Sequence, residues 1–345
     1  MSYSARKLMT VGSGEPVYVE DVFSTYLYTG TAATRQIVNG IDLADKGGMI
    51  WTKARSTALG HALHDSEMAA ESFLSCDGGA AIYGPSSAGA DSYLSLNSDG
   101  YSVGSSQFVN DSTRTLASWT FAQQEGFFDV VTYIGDGTQP RAIPHNLGSA
   151  PGMMIIKSKT LLSSWVVYHR AMGNQYEIRL NSENDKVNAQ LTVWNQTDPT
   201  DTVFTVGSAD SVNKSGEEFV AYLFAHDAQE FGLNGNESII QCGGYTGTGN
   251  DITAPQINLG WEPQWLLVKN TNAVADWVLL DDKRGWTTSA GNTDALLRAN
   301  SNATEGLDRL MGITSTGFFP EGSDVKTNAN GNEYVYMAIR KPDIV

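Results

Sequence analysis

The stretch Glu218-Phe-Val-Ala-Tyr-Leu-Phe224 decides the fold. It is apolar almost throughout and rich in aromatic residues, which predicts a strand buried on both faces. Ser215-Gly216 stands just before it, where a hairpin turn uses the positive φ open to glycine. Upstream lies Phe204-Thr-Val-Gly207, followed six residues after its Gly by Asn213. The same arrangement occurs twice more. Tyr101-Ser-Val-Gly104 precedes Asn110, and Phe319-Pro-Glu-Gly322 precedes Asn328, each at that distance. After each Asn an apolar strand starts at one offset, at Leu116, Phe219 and Tyr334. These strands continue through Trp119, Tyr222 and Met337 to Phe121, Phe224 and Ile339.

Working outward, the front of each unit repeats as well. Tyr28-Thr-Gly30, Tyr133-Ile-Gly135 and Tyr245-Thr-Gly247 match. Leu43, Leu147 and Leu259 each stand ten residues before Lys53, Lys157 and Lys269, and each Lys closes an apolar strand. Eight residues further come His61, Trp165 and Trp277, opening the next apolar run. The Tyr-to-Lys spacings are 25, 24 and 24, and the Lys-to-Gly spacings are 51, 50 and 53. Two blocks at conserved separation predict an internal repeat. Expected are an N-terminal arm over residues 1–16 and units over 17–125, 126–235 and 236–345, each the size of a small domain. Short strands and turns predict an all-β chain of three tandem antiparallel β-sandwiches, jelly-roll or immunoglobulin-like in topology. The best helical stripe is Ser66-Glu-Met-Ala-Ala-Glu-Ser-Phe-Leu74, with Ser66 as N-cap. The linkers Ala122–Gly126 and Gln229–Asn236 are too short to act as tethers, so the units are expected in fixed contact.

Composition narrows the function. Of 345 residues, 22 are Lys or Arg and 38 are Asp or Glu, a formal net charge of −16. That argues against nucleic acid, whose phosphates need a basic face, and against an anionic membrane surface. No apolar run reaches the roughly 18 residues of a membrane span. The first residues lack the apolar core of a signal peptide, so synthesis in a cytoplasm without cleaved export is expected. Cys76 and Cys242 allow at most one disulfide and no zinc motif.

Chemistry is sparse. His61, His64 and Asp65 suggest a metal pair only by proximity, since neighbouring strand residues point to opposite faces. Their counterparts, Trp165, Tyr168 and His169 and then Trp277, Leu280 and Asp281, are mostly packing residues. Asp45 and Asp281-Asp282 are carboxylates that nothing in the sequence pairs for acid–base work. No nucleophile elbow and no phosphate loop occur, and no cofactor is expected. Asn328–Glu333 resembles a calcium loop faintly, but its counterpart at Asn213–Glu218 is a turn. Among the tryptophans, Trp165 and Trp277 occupy equivalent strand starts and are expected in the core. Trp286, in the turn Lys283-Arg-Gly-Trp286, is the candidate for a surface glycan contact, with Trp261 and Trp194 beside it. In the arm, Tyr3, Arg6, Lys7, Leu8 and Met9 are candidates for an assembly contact.

Several of these stretches carry a resemblance. Phe23-Ser-Thr-Tyr-Leu-Tyr-Thr-Gly30, Asn39-Gly-Ile-Asp-Leu43 and Gly48-Met-Ile-Trp-Thr-Lys53 resemble a domain of unknown function in virion proteins of marine tailed phages, those of cyanobacteria among them. Phe128–Gly135, Asn146–Pro151 and Met154–Lys157 resemble its second common form. Trp277–Gly285 is similar to its strand ending in Asp and a basic-Gly turn, and Asp99–Gly104 to its closing block. The third unit departs most, with Pro320 in its closing block and Gly243-Gly244 before its Tyr. The resemblance implies a virion structural protein of the tail (fibre, adaptor or baseplate) or the head. Its partners would be other virion proteins and copies of itself, a trimer being common in fibres. It carries over no catalytic residue. A lectin-like receptor binder holding host glycan is the alternative. An enzyme would need the carboxylate pair that the sequence does not offer.

Overall fold

The run Glu218–Phe224 is a strand with neighbours on both sides, and every residue after the first is buried. The computed structural model describes residues 15–287 and 293–343. Strand makes up 40% and helix 6%, so the chain is all-β. The first third supplies β1 (Phe23–Thr29), β2 (Arg35–Val38), β3 (Gly48–Ala54), β4 (Ala62–Asp65), β5 (Tyr93–Asn97), β6 (Gly100–Val103) and β7 (Thr115–Ala122). Next come β8 (Phe128–Ile134), β9 (Arg141–Pro144), β10 (Met153–Ser158), β11 (Val166–His169), β12 (Tyr176–Arg179), β13 (Val187–Asn188), β14 (Val203–Val206) and β15 (Glu218–Phe224). The last third holds β16 (Ile240–Thr246), β17 (Ile257–Asn258), β18 (Pro263–Asn270), β19 (Val278–Asp281) and β20 (Asp294–Arg298). It ends with β21 (Gly306–Asp308), β22 (Met311–Thr314), β23 (Gly317–Pro320) and β24 (Glu333–Arg340).

Three large antiparallel sheets share one order. The first is β1-β7-β3-β4, the second β8-β15-β10-β11-β12-β13 and the third β16-β24-β18-β19-β20-β21. Their registers coincide. Phe121 lies opposite Phe23 and Met49, Phe224 opposite Phe128 and Met153, and Ile339 opposite Ile240 and Trp265. Across the other edge, Met49, Met153 and Trp265 face Asp65, His169 and Asp281. A small sheet covers one face of each: β2-β6-β5, β9-β14 and β17-β23-β22. The cover is made by aromatic contacts such as Tyr133 with Phe204 at 6.2 Å and Phe318 with Tyr336 at 5.0 Å.

The matched residues of the sequence do matched work. Tyr28, Tyr133 and Tyr245 donate their hydroxyls to the carbonyls of Val109, Val212 and Thr327 at 2.6, 2.6 and 2.7 Å. Asn110, Asn213 and Asn328 accept from the backbone N–H of Thr31, Asp136 and Thr248 at 2.9, 3.0 and 2.9 Å. At Gly30, Gly135 and Gly247 a Cβ would collide with the carbonyl of Asp111, Lys214 and Ala329, each the residue after that Asn. Lys53, Lys157 and Lys269 are fully buried, and their amines donate to backbone carbonyls that include Ala54, Ser158 and Ala275. Burial lowers all three amines to about 8.

Ser66–Leu74 is not a helix. Leu74 instead bridges to Leu63 and Phe73 to Tyr83, and Met68, Phe73 and Leu74 each enter the core separately. Ser66 accepts from the Gly48 N–H at 3.2 Å rather than capping. Cys76 and Cys242 are free and buried. No helix among the described residues is long and apolar enough to cross a membrane.

Candidate functional site

The three sheets close on one another through hydrogen bonds made at equivalent positions. Between the second and first, Tyr222 donates to Asp65 Oδ2 at 2.6 Å and Trp165 Nε1 to the carbonyls of Ser75 and Gly78 at 3.1 and 3.0 Å. Between the third and second, Trp277 Nε1 donates to the Arg179 carbonyl at 2.9 Å and His169 Nε2 to that of Tyr336 at 3.0 Å. Between the first and third, Trp119 Nε1 donates to Asp281 Oδ2 at 2.9 Å, and His61 Nε2 lies 3.0 Å from the Arg298 carbonyl. The backbone repeats the pattern: the N–H groups of Leu59, Ser163 and Ala275 reach the carbonyls of Asn302, Gly79 and Glu183. Each sheet therefore leans on the one before it, and the first leans on the last. Where they meet, Phe121 packs on Phe224 at 5.6 Å and on Trp265 at 5.9 Å, inside one continuous core.

The junction of the first and third sheets holds a cluster of charges. Asp281 and Arg284 are an ion pair at 2.6 Å with both side chains fully buried. Arg284 also lies over the Trp119 ring at 5.4 Å and 3.2 Å from Glu305, which Arg55 grips through two bonds at 2.9 and 2.7 Å. The histidines serve the same frame. His61 Nδ1 accepts from Trp51 Nε1 at 2.8 Å, so Nε2 carries the proton toward Arg298. His64 stacks on Tyr93 at 4.9 Å and donates to the Ser72 carbonyl at 2.8 Å. Burial holds His61, His64 and His169 down at about 4 and pushes Asp65 up to about 6. Among the described residues no three metal-ligating side chains gather in one place.

The tryptophans expected at the surface are inside. Trp286 is 1% exposed and donates to the Met311 carbonyl at 3.0 Å, because its turn folds back onto the outer face of the third sheet. Trp194 is also 1% exposed and donates to the Tyr176 carbonyl at 3.0 Å, while Trp261 is 8% exposed. None of the three offers a ring face to solvent for a sugar. Tyr3, Arg6, Lys7, Leu8 and Met9 lie outside the described residues.

Open space lies instead at the junctions, beside the first strand of a large sheet. A cleft of about 370 Å³ runs between β1 and the third sheet, lined by Ser24, Thr25, Gln264, Asp282, Lys283 and Lys341 among others. A second, of about 410 Å³, runs between β8 and the first sheet, lined by Glu67, Gln123, Asp129, His145 and Asn146 among others. In the sequence Asp281-Asp282 stood only as carboxylates without a partner, and Ser24 and Thr25 only as part of the stretch Phe23–Gly30, so neither pointed to a cleft. Only the meeting of two distant stretches of chain makes them neighbours.

A family model described as a domain of unknown function, DUF7483, matches residues 19–342, and the chain belongs to that family. The matched span takes in all three large sheets. No curated protein matches the chain.

Proposed function

We propose that this protein is a non-enzymatic structural component of a tailed-phage virion, tail-associated as a fibre, adaptor or baseplate protein or placed on the head, and acting through protein–protein contacts. In this reading one sandwich is written three times, over residues 17–125, 126–235 and 236–345. The observation that carries it is the ring of equivalent contacts in which Trp165, Trp277 and His61 each reach the neighbouring sheet. The polar side chains repeated in the sequence are spent on turns and junctions, which suits a rigid block whose outer surface meets partners in a symmetric assembly. The acidic balance of −16 suits protein partners better than nucleic acid. The resemblance of Phe23–Gly30 and Gly48–Lys53 to virion protein motifs supplies the context.

Immunogold labelling of intact particles, with antibodies raised to the whole chain, tests this. Gold at one fixed location, with a constant copy number per particle, is the expected result. A chain that stays in the lysate while purified particles carry none overturns it.

A further inference from the structure

The three sheets close in a ring, but the chain tethers only two of its three junctions. Residues 123–127 carry β7 of the first sheet straight into β8 of the second, and residues 225–239 carry β15 of the second into β16 of the third. The first and third sheets are joined in sequence only through the second. A tether keeps its two ends at high effective concentration, so a tethered junction that parts soon closes again. The seam between the first and third sheets has no such help and holds by contacts alone.

At each junction one short segment offers its carbonyls to the neighbouring sheet. Ser75, Gly78 and Gly79 receive Trp165 and Ser163, and Arg179 and Glu183 receive Trp277, Ala275 and Lys269. At the seam the segment is a strap, residues 299–305, which joins β20 to β21. The carbonyls of Arg298 at its root, of Ala299 and of Asn302 meet His61 Nε2 at 3.0 Å, Cys76 Sγ at 3.0 Å and the Leu59 N–H at 2.9 Å. This strap also carries an ion pair across the junction. Arg55 holds Glu305 through a two-bond fork, with the two side chains 24% and 15% exposed. The pair that crosses between the third and second sheets, Lys186 with Glu333, is looser in kind: Glu333 is 58% exposed, and such surface pairs contribute little. The junction without a tether is thus the one whose strap carries a clasp.

We propose that the strap is the latch of the ring: with Arg55 and Glu305 as its clasp, it lets the seam part while the other two junctions stay closed. Parting separates Trp265 from Phe23 and Phe121, whose ring centroids lie 6.2 and 5.9 Å from its own in the closed ring. It gives an otherwise rigid block one way to change shape. The opening is local and costs less than unfolding the whole chain. The inference concerns the ring of contacts in the isolated chain and does not depend on the assembly reading.

The two free cysteines report on the seam without any substitution. Cys76 is fully buried against the strap, its Sγ on the Ala299 carbonyl. Cys242 is fully buried at the junction of the third and second sheets, its N–H on His226 Nδ1. Labelling of the folded full chain with N-ethylmaleimide, followed at each thiol by peptide mass spectrometry, measures how often each junction opens. Each rate is divided by that of the same thiol in the urea-unfolded chain. Cys76 is expected to react about tenfold faster than Cys242, since its junction has no tether. Arg55→Gln should raise the Cys76 rate about tenfold again and leave Cys242 unchanged, with Arg55→Lys, which keeps the charge but not the fork, in between. Equal rates for the two thiols, or a faster Cys242, overturn the proposal. So does a Cys76 rate that Arg55→Gln leaves unchanged or raises only together with that of Cys242.

Discussion

Asp281→Ala is expected to destabilise the protein by about 3–5 kcal/mol, the cost of leaving one partner of a buried ion pair uncompensated. Asp281 accepts from Arg284 Nε at 2.6 Å, from the Arg284 N–H at 2.9 Å and from Trp119 Nε1 at 2.9 Å. Without the carboxylate, the Arg284 guanidinium stays buried against Glu305 and the carbonyls of Leu279 and Ala295, and Trp119 loses its acceptor. The first sheet then loses its Trp119 tie to the third, while Arg55–Glu305 and His61–Arg298 remain. The double variant Asp281→Leu with Arg284→Met removes both charges. It is expected to cost less than the single change, since two well-packed apolar groups avoid the desolvation of an ion pair. Urea unfolding of the two variants decides the point. A double variant less stable than Asp281→Ala would mean that the pair contributes more than its burial costs.

The second large effect is on pH. His61, His64 and His169 ionise near 4 in the folded chain against about 6.5 when exposed, because burial disfavours the imidazolium. Geometry agrees: at His61 and His169 a second ring proton would point at the N–H of Trp51 or Ala171. Each histidine contributes stability that is fully present above about pH 6.5 and is lost as pH falls toward 4, roughly 3 kcal/mol apiece. Asp65 and Asp294 oppose this. Burial raises both to about 6, so their contribution is present below about pH 4 and lost as pH rises through 6. His145 and His226, also lowered by burial, add to the histidines, while Glu177, Glu230 and Asp282, raised by burial, add to the carboxyls. Stability should fall on acidification between about pH 6 and 4, since His61, His64 and His169 carry the large shifts. Asp65→Asn keeps an acceptor for Tyr222 and removes one opposing proton, so it should steepen the fall. Urea unfolding from pH 6.5 to 4.5 measures both slopes. A flat profile, or one unchanged by Asp65→Asn, contradicts the assignment.

Much of this was legible in the sequence, for physical reasons. A strand buried on both faces leaves a short, aromatic-rich run such as Glu218–Phe224 behind a Gly turn. Tyr28, Asn110 and Gly30 recur because a hydroxyl, a carboxamide and a missing Cβ must meet one turn in fixed geometry. The junctions were hidden, since their partners are distant in sequence: Trp119 with Asp281, Tyr222 with Asp65, Trp277 with Arg179. Ser66–Leu74 misled because Ala69, Ala70, Phe73 and Leu74 stand three and four residues apart, whereas the chain turns over residues 66–71 and Leu74 bridges to Leu63. Trp286 misled because a Gly-containing turn suggests exposure, whereas this turn packs its ring on the third sheet. The cleft at Thr25 was invisible for the same reason as the junctions, being made only where β1 meets Asp282.

The hydrogen bonds and the shared core lock the three sheets into one body. Scanning calorimetry of the whole chain tests that lock most directly. It predicts a single transition whose calorimetric and van't Hoff enthalpies agree. Separate transitions for the three sheets, or a van't Hoff enthalpy near one third of the calorimetric value, would contradict it.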